Sequence, residues 1–160
     1  MSHPYASYPR RLILATLLLA GTAAAAADAP YPGTRTVASK HGFDELVSRV
    51  EAAVSDHKMG LVAQASASRG AAARGVRIPG NAVLMVFRND YAVRMLQASV
   101  PAGIEAPLRI YVTENADGKA SVTYRTPSAV FAPYRSDKLD AMAKELDPIF
   151  ERIVRDAAGS

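Results

Sequence analysis

The chain has 160 residues, 49% hydrophobic and 21% charged, a balance typical of one folded domain rather than of a disordered chain. It contains no cysteine, which excludes disulfides, thiolate metal sites and cysteine nucleophiles. The net charge of +4 is too small to indicate a nucleic-acid interface, because such proteins concentrate many basic residues on one face.

The first 27 residues differ from the rest of the chain. Arg10 and Arg11 precede an uncharged apolar run that ends in alanines before Asp28. This run of about 15 residues is shorter than the roughly 20 that a membrane span needs. The pattern predicts a signal peptide over residues 1–27, cleaved after Ala27, and therefore a periplasmic mature protein that is not inserted in the membrane. A retained N-terminal anchor is the alternative, but it gives the alanine run no role.

Residues 28–35 contain two prolines and a glycine, which indicates an extended lead-in to a single domain over 36–157. Weak alternation predicts a first strand over 34–40, overlapping the lead-in. The next segment, 43–58, is predicted to be a helix, with Gly60 as a left-handed C-terminal cap. Its predicted buried face consists of Phe43, Leu46, Val47, Val50 and Val54.

Two further strands are predicted in the middle of the chain, over 61–68 and 82–87. The second of them, AVLMVF, is continuously apolar, which predicts a strand that is buried on both faces or lies at the sheet centre. The intervening segment 68–81 combines alanines with glycines, so both a helical turn and a loop are compatible with it.

The last third of the chain has the clearest patterns. A short helix is predicted around 91–98, and two alternating runs, 108–113 and 121–125, form a hairpin around the turn sequence NADG. Apolar residues then keep helical spacing over 139–154, with a predicted kink at Pro148. These elements predict an α+β fold: a two-layer sandwich in which two main helices cover one face of an about five-stranded, mostly antiparallel sheet.

The order of these features resembles a bacterial family known as domain of unknown function 302. The resemblance covers about Val37 to Val154 and is carried by GLVAQA, VLMVFRN, MLQA and APLRIYVTENADGKASVTY, followed by Thr-Pro. It implies an α+β sandwich that is frequently a homodimer, with no established biochemical activity. Residues that match the family pattern are Asn89, Gln97, Pro107, Gly118 and Tyr124.

The chain departs from the family at two positions. A histidine that family members often carry after the second strand corresponds to Ser68 here, and a proline corresponds to Asp90. Any acid–base or metal chemistry of that histidine is therefore not transferred to this chain. We predict no catalytic residue, no metal site and no cofactor; Ser68, Arg88, Asn89, Gln97 and Tyr124 are the candidate ligand-binding residues.

Two interpretations fit the sequence Arg88-Asn89-Asp90. In the first, which we favour, Asn89 or Asp90 caps the helix that begins near Tyr91, and Arg88 is merely solvated. In the second, Arg88 and the amide groups at the helix N-terminus bind an anionic ligand. Arg69, Arg74 and Arg77 would not join such a site, because they precede the opposite end of strand 82–87.

The sequence indicates an exported, non-enzymatic module that binds a ligand or a protein, and the family resemblance implies that it forms a homodimer. Its ligand would be a small anionic or apolar molecule; no nucleic-acid partner is expected. The alternative is a small periplasmic hydrolase or isomerase acting on an envelope metabolite, with Asn89, Gln97 and Tyr124 as polar contacts. That alternative requires these side chains to reach one point in a cleft.

Overall fold

A computed structural model describes residues 31–159, and the predicted signal peptide lies outside these residues. Five strands form one antiparallel sheet in the order β1-β5-β4-β3-β2. The strands are β1 (Thr34–Ala38), β2 (Gly60–Ala65), β3 (Asn81–Phe87), β4 (Leu108–Glu114) and β5 (Ala120–Arg125). Thr34 and Arg35, the end of the predicted lead-in, already belong to β1.

Residues 31–159 also contain five α-helices and two 3-10 segments, of which the last two helices and the second 3-10 segment follow the last strand. The helices are α1 (Phe43–Asp56), α2 (Ala67–Ala72), α3 (Asn89–Ala98), α4 (Pro127–Phe131) and α5 (Asp137–Ala158). The 3-10 segments are Val100–Glu105 and Ala132–Tyr134. The α+β class, the five strands and the two main helices, α1 and α5, agree with the prediction from sequence.

The core lies between one face of the sheet and the helices α1 and α5. On the sheet side it contains Leu84, Val86, Ile110, Val112 and Val122, all completely or almost completely buried. The apolar stripe predicted over 139–154 supplies the helical side: its residues at helical spacing, from Leu139 to Val154, are buried except for the half-buried Ile149. Helix α5 runs unbroken through Pro148 to Ala158.

The end of α1 differs from the prediction. The left-handed residue is Lys58, with φ 59°, and Gly60 instead begins β2. The amide of Lys58 donates to the carbonyl of Ser55, and that of Met59 donates to the carbonyl of Val54, both at 2.9 Å. These two bonds are those of a Schellman motif, which turns the chain so that Met59 enters the core.

The continuously apolar strand β3 is not buried on both faces. Ala82, Leu84 and Val86 are buried, whereas Val83, Met85 and Phe87 on the other side are only half-buried. The strand lies inside the sheet but beside the edge strand β2, and β4 is the central strand. The prediction of a doubly buried strand is therefore wrong, because within residues 31–159 the helices cover one face of the sheet only.

The undecided segment 68–81 is partly helical, since α2 occupies its first residues and a loop the remainder. The predicted hairpin is present: Gly118 in its turn has φ +77°, and Asn115 accepts from the amide of Gly118 at 3.0 Å. Among the residues described, no helix has the length and apolar character required to cross a bilayer.

Candidate functional site

Arg88 forms a local ion pair at the end of β3. Its Nε and Nη2 atoms donate to Oδ1 and Oδ2 of Asp90 at 2.7 and 3.0 Å, and its guanidinium lies 4.3 Å from the centre of the Tyr91 ring. The hydrogen bonds that Arg88 donates to Asp90 lower the pKa of the Asp90 carboxyl and raise the pKa of the Arg88 guanidinium. Asp90 therefore already neutralises the cation that an anionic ligand would need.

The favoured cap interpretation of this turn is wrong. Helix α3 begins at Asn89, two residues before the predicted start at Tyr91, and Arg88 is its N-cap residue in an extended conformation. No side chain makes a capping hydrogen bond there. The reason is positional: Asn89 lies inside the first turn rather than before it, and the Asp90 carboxylate is held by Arg88.

A small apolar cavity lies beneath Arg88 and Tyr91, among Met59, Met95, Met142 and neighbouring core residues. Its volume is about 30 Å³. A cavity of this size has room for one or two water molecules, whereas ligand sites commonly measure about 300–1,000 Å³. The cavity is therefore a packing defect of the core and not a metabolite site.

Ser68 has a structural role at the other end of β3. Its hydroxyl accepts from the amide of Asn81 at 3.1 Å, donates to the carbonyl of Asn81 at 3.3 Å, and bonds to the hydroxyl of Ser66 at 3.0 Å. These bonds attach the start of α2 to the start of β3. Since the seven-residue strand β3 separates Asn81 from Arg88, Ser68 and Arg88 are about 20 Å apart.

Asn89, Gln97 and Tyr124 also do not converge. Asn89 and Gln97 are exposed and lie eight residues apart on α3, a rise of about 12 Å along the helix. Tyr124 is buried in β5, where its ring stacks on Phe150 of α5 with centroids 6.4 Å apart. Apart from the sequence neighbours Arg88 and Asn89, the five candidate residues thus occupy separate parts of the fold.

The second face of the sheet, which we call the open face, lies opposite the face that packs against α1 and α5. Register places Val83 beside Tyr111 and Tyr111 beside Thr123, and Met85 beside Arg109. Tyr111 is 40% exposed. Val83, Met85, Tyr111 and Thr123 form the centre of the face and carry no charge. The other residues of the face, besides Arg109, are Thr34, Thr36, Ala38, Ala63, Ala65, Asn81, Phe87, Thr113, Ser121 and Arg125.

Both arginines of the open face lie at one end of the sheet, because Arg109 in β4 falls opposite Arg125 in β5. The guanidinium of Arg125 is held there: its Nη2 donates to the carbonyl of Ala129 at 3.1 Å, and it lies 5.3 Å from the centre of the Tyr31 ring. The centre of the face is therefore free of charge within the described residues. An uncharged centre with charge at the rim is the composition typical of a protein interface.

The residues of the open face were not among the candidate site residues predicted from sequence, although a signal for them was present. Alternation in β4 separates Arg109, Tyr111 and Thr113 from the buried Leu108, Ile110 and Val112. A cleft site is recognised from a few polar side chains. The open face is formed by residues of neighbouring strands, so it is recognised only when the strand order is known.

Fold and surface together define a small two-layer α+β protein with one bare sheet face and no group of three or more His, Asp or Glu side chains within residues 31–159 that could hold a metal ion. The sequence profile of Domain of unknown function DUF302 matches residues 35–157. The chain belongs to this family, as its sequence features indicated.

A solved structure supports the same fold. The crystal structure of uncharacterized conserved protein DUF302 from Bacillus stearothermophilus superposes with a TM-score of 0.71 at 17% sequence identity. The alignment covers 79% of this chain and 98% of that one. At this identity the likeness establishes the fold alone. No curated protein matches the chain.

Proposed function

We propose that this protein is an exported, non-enzymatic binding or assembly module of the bacterial envelope, joined into a homodimer through the open face. The observation that carries the proposal is the uncharged centre of that face, formed by Val83, Met85, Tyr111 and Thr123. A monomer would leave Tyr111 exposed and Val83 and Met85 partly exposed, and apolar surface left in water is a feature of interaction sites.

The size of the open face supports a dimer. Five strands spaced about 4.8 Å apart and about 20 Å long present a surface on the order of 500 Å² per copy. Two copies packed face to face would bury about 1,000 Å² in total, which is near the lower bound of a specific interface. The open face is complementary to itself in a second copy. Its arginine end in one copy can lie against the uncharged end with Asn81, Thr113 and Ser121 in the other copy.

The hydrolase or isomerase alternative has less support. It requires Asn89, Gln97 and Tyr124 to reach one substrate, yet two of them are about 12 Å apart along α3 and the third lies under α5. We therefore propose binding rather than catalysis.

The interface is tested with Tyr111→Glu and its matched control Leu96→Glu. Both side chains are exposed, at 40% and 46%, so neither change buries a charge within a single copy. Because Tyr111 is at the centre of the open face and Leu96 is on α3, only Tyr111→Glu should convert the dimer to a monomer in sedimentation-velocity experiments. A monomeric wild type, or a dimer broken by Leu96→Glu instead, would contradict the proposed interface.

Export is a second part of the proposal, and it rests on the leader sequence. We expect the intact mass of protein from the periplasmic fraction to correspond to a chain that begins at Asp28. Leucine at Ala25 or Ala27 should block cleavage, because signal peptidase requires small side chains at these positions, whereas Ala23→Leu should not. Mature protein that retains residues 1–27 would contradict the cleavage site.

A further inference from the structure

Tyr124 places its hydroxyl at a surface groove on the helix-bearing side of the sheet. The residue is 7% exposed, and its ring packs on Phe150. Within residues 31–159 the hydroxyl makes no hydrogen bond, yet it is not one of the buried side-chain atoms that lack a partner, so it reaches solvent. Burial is the main cause that raises its pKa. A hydroxyl that reaches the groove without a protein partner is available to a ligand.

Tyr124 lines a groove between the edge strand β1 and helix α5. The groove has a volume of about 450 Å³ and is lined by Arg35, Thr36, Val37, Tyr124, Thr126, Asp147 and Glu151. Arg35 is the register partner of Tyr124, so both side chains project from the helix-bearing face of the sheet. Asp147 and Glu151 are four residues apart on α5 and therefore share one side of the helix.

The two acids of the groove are not equivalent. Asp147 accepts two bonds from Ser128, one at 2.9 Å from its amide to Oδ1 and one from its hydroxyl to Oδ2, so that carboxylate is occupied by the fold. Glu151 and Arg35 form no salt bridge with any residue in 31–159. One available negative charge and one available positive charge thus stand on opposite walls, with the Tyr124 hydroxyl between them.

We propose that this groove binds a small zwitterion of the free α-amino acid class. Glu151 receives the ammonium group, Arg35 binds the carboxylate, and the Tyr124 hydroxyl supplies a neutral hydrogen bond. The groove volume is within the range of small-molecule sites. Arg35, Tyr124 and Glu151 are on the helix-bearing side of the sheet, so the three side chains that would bind the ligand are not part of the homodimer interface proposed above.

The test uses the exported protein and the twenty standard L-amino acids as probes in thermal melts and titration calorimetry. Ethylamine and propionate serve as half-ligands, since they are L-alanine without its carboxylate and without its ammonium group. We expect at least one amino acid to raise the melting temperature in a saturable manner, because it binds only the folded state. The half-ligands should produce no such rise.

Three variants locate the site. Tyr124→Phe, Glu151→Gln and Arg35→Gln should each weaken binding by about tenfold or more, the loss expected when one hydrogen bond to a charged group is removed. Arg152→Gln, an exposed change on α5 outside the groove, should bind like the wild type. Tyr124→Phe should also leave the melting temperature of the ligand-free protein unchanged, because its hydroxyl has no partner among residues 31–159.

The proposal is overturned if no amino acid binds, if ethylamine or propionate alone binds as well as the amino acid, or if all three groove variants retain wild-type affinity. A lower melting temperature of ligand-free Tyr124→Phe would also overturn it, by showing that the hydroxyl already has a structural partner. Sedimentation of the same variants separates these failures from a failure of the dimer interface, which they do not touch.

Discussion

Leu84→Asp is expected to lower the free energy of unfolding by about 4 kcal/mol or more, the largest effect of any change considered for this protein. Leu84 is 0% exposed, and its register neighbours on the same face are Gln64 and Ile110. None of these offers a cation to an aspartate, so the new carboxylate must be buried unpaired or the strand must open. Urea denaturation followed by circular dichroism measures the loss.

Leu96→Asp is the matched control, because it makes the same chemical change at a leucine that is 46% exposed on α3. It should cost about 1 kcal/mol or less, as most surface substitutions do. Comparable losses in the two variants, or a Leu84→Asp protein with the wild-type urea midpoint, would show that β3 does not turn Leu84 toward the helices.

Phe150→Ala is expected to cost about 3–5 kcal/mol, because it removes a large side chain from a core that cannot close around the cavity. Phe150 is 0% exposed in α5 and stacks on Tyr124 of β5, so it joins the two layers of the fold. The loss is measured as a decrease in the urea midpoint at an unchanged slope.

Ile149→Ala, one residue earlier on the same helix, is the control for this second change. Ile149 is half-buried, so its truncation should cost clearly less than that of Phe150. If the Ile149 variant were the less stable of the two, the assignment of the buried side of α5 would be incorrect.

The buried side of α5 is a feature that the sequence alone predicts well, although the prediction did not distinguish the half-buried Ile149 from the buried Phe150. The apolar residues of α5 repeat at helical spacing over more than four turns, so the buried face follows from periodicity without knowledge of its neighbours. The hairpin is equally local, because an Asp-Gly turn and two alternating runs lie within one short segment. Local patterns of this kind identified the α+β class.

The turn at Arg88 shows where local reasoning fails. An Asn-Asp pair before a helix satisfies the usual pattern of a cap, yet the Asp90 carboxylate binds Arg88 and the helix begins one residue earlier than the cap requires. The Asp90 carboxylate can accept from a backbone amide of the helix or from Arg88, and the two bonds have similar energies, so sequence statistics do not decide between them. The arrangement of the side chains in the folded protein decides which bond forms.

Sequence by itself determined the α+β class, the position of the principal helix α5 and of the hairpin, and the family. Tertiary structure decided the strand order β1-β5-β4-β3-β2, the single-sided burial of β3, the open face and the groove at Tyr124. The physical reason is the distance along the sequence between the residues that interact. Helical and strand periodicity come from neighbouring residues, whereas Arg35, Tyr124 and Glu151 meet only because β1 pairs with β5 and α5 packs across them. No pattern along the chain encodes that pairing directly.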